Sequence, residues 1–115
     1  MLKINFKAVC VSLLTCLLLS PLAHAEPENK TFNKVCHSCH TGGFKGFISG
    51  APNINEKEAW QVYLEKHSAD EMKTIVLQGS DEHKVKGGCK KCSDTEITEA
   101  IEYMLRHVSK AESEK

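Results

Sequence analysis

Apolar residues return along most of this chain at helical spacing, and nowhere with the alternation of a strand. Phe32, Val35, Cys36 and Cys39 recur at i, i+3, i+4 and i+7, which predicts a first helix ended by Thr41-Gly42-Gly43. Residues 41–55 are rich in glycine and hold Pro52 and two asparagines, so a loop is expected. Phe44, Phe47 and Ile48 lie within it, as if it wrapped over something apolar. Asn55 with Glu58 has the form of a capping box and opens a helix to about Lys66, with Ala59, Trp60, Tyr63 and Leu64 on one side. Ser68 with Glu71 is a second box, opening a helix that turns Met72, Ile75 and Val76 inward and closes at Gly79. Residues 79–92 lose all periodicity and read as another loop. Ser93 with Glu96 starts the last helix, whose stripe is Ile97, Ala100, Ile101, Met104, Leu105 and Val108. The expected fold class is all-α: about four short helices and two loops.

One stretch departs from this pattern. Lys3 and Lys7 precede an unbroken apolar run from Ala8 to Leu19, followed by Ser20, Pro21 and the small-residue exit Ala23-His24-Ala25. That is the form of a secretory signal peptide, residues 1–25, cleaved after Ala25. The run is short for a membrane span of about 20 residues, so no stable membrane anchor is expected once it is removed. Residues 26–115 then form a single domain.

Charge excludes one class of function. The whole chain has 15 basic and 15 acidic side chains. Without Lys3 and Lys7, 13 basic residues face 15 acidic ones, a net charge of −2. Nucleic-acid binding would want a clear basic excess, so no nucleic-acid partner is expected. A 90-residue domain also has a small core and gains from a staple or a buried cofactor.

Four cysteines remain after the leader, as two pairs. Cys36-His37-Ser38-Cys39-His40 reads C-x-x-C-H, the pattern of covalent haem c attachment. The two thiols, one helical turn apart, can each add to a haem vinyl group, and the imidazole of His40 can then ligate the iron as the proximal ligand. Zinc is the main rival, with Cys89-x-x-Cys92 as the second knuckle. However, 49 residues separate Cys39 from Cys89, where zinc ribbons leave about 15–20. An exported protein also meets an oxidising compartment, which disfavours four free thiolates. A thiol–disulfide redox motif is the third possibility, but it normally sits in a βαβ context. Ser93 rather than histidine follows Cys92, so the second pair is read as a disulfide and not as a second haem site. A redox-active disulfide is the sharper alternative.

Several segments occur in one order: Val35-Cys36-His37-Ser38-Cys39-His40, Gly50-Ala51-Pro52, Glu58-Ala59-Trp60, Lys86-Gly87-Gly88-Cys89, Cys92-Ser93-Asp94, and Ile101-Glu102-Tyr103-Met104. Across residues 26–115 the chain resembles the class I c-type cytochromes of the cytochrome c5 kind. The resemblance implies a small cytochrome c fold around one covalent haem c, with the first and last helices crossing near Phe32 and Tyr103. It implies one-electron transfer between redox protein partners in a bacterial periplasm. It makes Pro52 the residue whose carbonyl orients the proximal imidazole, and it matches Cys89 and Cys92 to a family disulfide.

Two departures stand out. The stretch from Thr41 to Ser49 is longer than in the family. The family's distal methionine, usually in Met-Pro a few residues before Lys-Gly-Gly-Cys, is missing; counting back from Cys89, His83 takes its place and Lys84 that of the proline. Met72 and Met104 lie on apolar helix stripes and are expected in the core. The expectation is therefore His40/His83 ligation of the iron. The electron carrier needs no acid, base or nucleophile, so no catalytic set and no enzyme is expected. A haem protein that binds or senses a small ligand at a labile distal position is the alternative. Lys84, Lys86, Lys90 and Lys91 crowd the distal loop and suit an acidic redox partner.

Overall fold

The computed structural model describes residues 27–109; the expected leader and its cleavage point lie outside them. The fold is all-α, and no strand occurs among the described residues. Asn29 caps the first helical segment: its Oδ1 accepts from the Phe32 amide at 2.8 Å. A π-helical turn, Phe32–Cys36, runs into α1, His37–His40. Then follow α2, Gly43–Ser49, α3, Lys57–Lys66, and α4, Ala69–Gln78. A 3₁₀ turn, Val85–Gly88, interrupts the next connection, and α5, Asp94–Ser109, completes the fold.

α5 is the platform. Ile97, Ala100, Ile101, Met104 and Val108 are all buried, as their helical spacing requires. Ala100 is completely buried, and its small side chain leaves room for a neighbouring element to approach closely. Phe32, Ile54 and Trp60 join Ala100, Met104 and Val108 in one cluster, with Tyr103 and Leu64 against it. The Phe32 and Tyr103 rings lie 5.1 Å apart at 48°, so the first and last helical segments cross where expected. Met72 and Met104 are both core residues, 8 % and 6 % exposed. The Lys73 ammonium on α4 reaches Glu102 on α5 at 2.9 Å.

Two sequence expectations need correction. The stretch over 41–55 is not loop throughout, because Gly43–Ser49 forms α2. Gly46 makes this possible, since a Cβ there would stand 2.9 Å from the Cys39 carbonyl oxygen. Gly43 opens α2 at φ 71°, a conformation that glycine adopts freely, and Gly46 permits the close approach to α1. In the structure Phe44, Phe47 and Ile48 are exposed rather than folded inward. The second correction concerns the start of α3. Asn55 does not cap it; Glu56 holds the cap position without a side-chain bond. Asn53 acts instead, its Oδ1 accepting from the Asn55 amide and its carbonyl from the Glu56 amide.

The other two boxes form. Ser68 and Glu71 satisfy each other's backbone amides at the start of α4. Ser93 and Glu96 do the same for α5. The Ser93 amide and hydroxyl hold the Glu96 carboxyl below the ordinary glutamate value of 4.5. A depressed folded value makes this contribution complete above about pH 4.5 and lost as the pH falls through the folded value. Glu96→Gln keeps the hydrogen-bonding shape without the titration. Thermal melts against pH should show a shallower loss of stability in acid for this variant than for the native chain.

Candidate haem site

His40 ends α1 and is fixed from three directions. Its Nδ1 donates to the Pro52 carbonyl at 3.0 Å, and its own carbonyl accepts from the Ile54 amide at 2.7 Å. The Trp60 ring lies 5.6 Å from the imidazole at 35°. The Trp60 indole is anchored in turn, donating to the Asn53 carbonyl at 3.0 Å. Residues 50–54 therefore return to α1 and hold the ring, and α3 backs it. The Pro52 bond sets the tautomer: Nδ1 carries the proton and Nε2 keeps its lone pair. Burial, helped by nearby His83, lowers the His40 pKa, against the Pro52 bond; burial is the largest cause.

His83 faces it. The two imidazole centroids are 6.3 Å apart with planes inclined by only 21°. His83 likewise ties its Nδ1 to a backbone carbonyl, that of Lys84, at 2.8 Å. Both histidines thus keep Nε2 for another partner. Two metal–imidazole bonds of about 2 Å, end to end and extended by the ring radii, put two centroids about 6 Å apart. The observed spacing fits one metal ion between the two rings.

Cys36 and Cys39 stand one helical turn apart next to His40, both half-buried and neither in a disulfide. Burial first, then Cys39, pushes the Cys36 thiol up to about 11, so at neutral pH it is protonated. Cys89 and Cys92 are paired elsewhere, with Cα atoms 5.5 Å apart. Among the described residues no group of three or more His, Cys, Asp or Glu could hold a metal ion, so the four cysteines do not converge as a zinc site would require. The donor set that does converge is two imidazoles, with two thiols beside one of them. That set fits a haem tethered through Cys36 and Cys39.

The connection carrying His83 is braced from behind. Lys86 has φ of 52°, and its ammonium bonds the Cys92 carbonyl and the Asp94 carboxylate at 3.1 and 2.6 Å. Gly87 follows at φ 61°, and a Cβ there would meet Val35 Cγ1 at 2.9 Å. The Lys86-Gly87 turn therefore lies directly against the helix that carries the cysteines. Lys84, Lys90 and Lys91 are exposed, whereas Lys86 is engaged and does not belong with them as a free surface charge. Sequence reasoning missed Asn53, which supports both Trp60 and the start of α3, and Ser80, which bonds the His83 amide. The tendency of a serine hydroxyl to close a turn on nearby backbone amides is the signal that pointed to Ser80.

No helix among the described residues is long and apolar enough to cross a membrane. Residues 23–104 match the family model described as cytochrome C oxidase, cbb3-type, subunit III. The chain is 33 % identical over 81 residues to a protein named cytochrome c5 from Ectopseudomonas mendocina, covering 70 % of this chain and 88 % of that one. No solved structure matches the chain.

Gly87→Ala forces a side chain into the left-handed region and against Val35. It should destabilise the fold by about 1–2 kcal/mol, read as a lower midpoint in guanidinium denaturation.

Proposed function

The chain belongs to the class I c-type cytochromes of the c5 kind, which transfer electrons, and on that premise we propose a periplasmic carrier with one haem held between His40 and His83. The observation that carries the ligand assignment is the pair of facing imidazoles, 6.3 Å apart, each with Nδ1 tied to a backbone carbonyl. Such a carbonyl bond is the usual outer partner of a metal-bound histidine. Export rests on the leader pattern over residues 1–25, and oxidised Cys89–Cys92 agrees with that compartment.

A bound haem supplies an iron that accepts and gives up one electron. The chain does the rest. Cys36 and Cys39 would tether the haem through thioethers, and His40 and His83 would donate their Nε2 lone pairs to its iron. Pro52 and Trp60 hold His40 in place, which limits rearrangement between oxidation states. With both histidines engaged, the iron would have no position for a substrate. Exposed Lys84, Lys90 and Lys91 steer an acidic redox partner toward the distal side, with a rate that falls as salt rises.

Imidazole is a stronger donor than thioether and favours Fe(III), so this ligand pair lowers the potential relative to His/Met ligation. Burial acts in the other direction but is common to both sets. His83→Met should therefore raise the midpoint potential in a redox titration, by a sizeable part of the roughly 0.8 V that ligand choice spans.

The near-parallel rings make a sharper test. Oxidised holoprotein should give a resolved rhombic low-spin electron paramagnetic resonance signal, as parallel imidazole planes do. A sulfur-to-iron charge-transfer band in the native protein, or an unchanged spectrum in His83→Ala, would sink His83 ligation.

A further inference from the structure

His83 is the least secured part of this site. It lies on a connection between α4 and the 3₁₀ turn, only half-buried, with acidic Asp81 and Glu82 exposed beside it. The two described core methionines belong to helices, Met72 to α4 and Met104 to α5. What shapes the connection is one small side chain. Ser80 Oγ accepts from the Glu82 amide at 3.2 Å and from the His83 amide at 3.1 Å. The backbone closes the same turn in both directions, the Ser80 amide donating to the His83 carbonyl at 2.9 Å and the His83 amide to the Ser80 carbonyl at 3.3 Å.

The turn is set at its base by Gly79, at φ 79°, where a Cβ would meet Val85 Cγ2 at 2.7 Å and the His83 carbonyl at 3.3 Å. Only glycine brings Ser80 so close under His83. Beyond it, the Lys84 carbonyl accepts a hydrogen bond from His83 Nδ1–H, which leaves Nε2 with its lone pair. Ser80 to His83 therefore form a hydrogen-bonded unit in which His83 Nδ1 is engaged and Nε2 is not. A hydroxyl that accepts two amide bonds holds such a unit together without occupying a ligand position.

We propose that Ser80 is the positioning residue of the distal ligand: its hydroxyl holds His83 in the conformation that reaches the iron and so sets how readily His83 lets go. This rests on His83 being that ligand. When His83 swings off, both Ser80 Oγ bonds must be rearranged with it, so the hydroxyl adds to the barrier and to the equilibrium against the open form. Loss of the two bonds should raise the open fraction about tenfold.

The experiment uses holoprotein reduced with dithionite and mixed with carbon monoxide in a stopped-flow spectrometer. At high carbon monoxide the rate is limited by departure of the distal ligand. Ser80→Ala should keep the six-coordinate low-spin spectrum of the native protein yet bind carbon monoxide about tenfold faster. Ser80→Thr, which keeps the hydroxyl, should restore the native rate. Ser68→Ala removes a comparable capping hydroxyl from the far end of α4 and should leave the rate alone.

An unchanged rate in Ser80→Ala overturns the proposal, and so does an equal acceleration in Ser68→Ala, which would mark a general loss of stability. His83→Ala separates the two levels. If it alters the resting spectrum while Ser80→Ala changes nothing, His83 ligates without help from Ser80. If it leaves the spectrum unchanged, the ligand assignment itself falls, and this inference with it.

Discussion

Two imidazoles held across 6.3 Å, planes nearly parallel, are the constraint that the rest of the structure serves. A ring on a flexible side chain does not stay in one place unaided, and each histidine has lost its freedom in a different way. His40 is locked by tertiary structure: Pro52 on one side, Trp60 on another, and the Ile54 amide on its own carbonyl. His83 is locked locally, by a four-residue turn and the carbonyl of the next residue. In both, a backbone carbonyl accepts from Nδ1–H and leaves Nε2 with its lone pair.

The small core is arranged to support the firmer of the two rings. α5 carries the longest apolar stripe and collects Phe32 from the first segment, Trp60 from α3 and Ile54 from the return loop. Two of those three lead directly to His40, through the Ile54 amide and the Trp60 ring. A domain this small has little apolar area to spare, so core and site share residues. The connection carrying His83 is braced differently, by polar means. The Lys86 ammonium ties together Cys92 and Asp94, and the Gly87 backbone lies against Val35.

The helices that carry long stripes were legible in the sequence because burial and periodicity are the same fact: α4 and α5 begin at their serines, and Met72 and Met104 are buried as expected. Elements set by close approach were not legible. α2 was read as loop because its glycines argue against a helix, yet Gly46 is there so that α2 can pass the Cys39 carbonyl. Asn55 has the composition of a cap, but Asn53 has the position, since the return of residues 50–54 to His40 decides where α3 starts. Local pattern names the residue types that can cap; the path of the chain chooses among them.

By itself the sequence determined the thiol pair, the adjacent imidazole, the helical class and a histidine rather than a methionine shortly before Lys86-Gly87-Gly88-Cys89. These depend on residue identity and short spacing, which survive without a fold. Only the tertiary structure decided that His83, 43 residues from His40, lies opposite it, that both rings keep the same nitrogen free, and that Lys86 is bound rather than displayed. Those are distances between segments remote in the chain. They follow from how α5 gathers the other elements, a property of the packed core and of no single stretch within it.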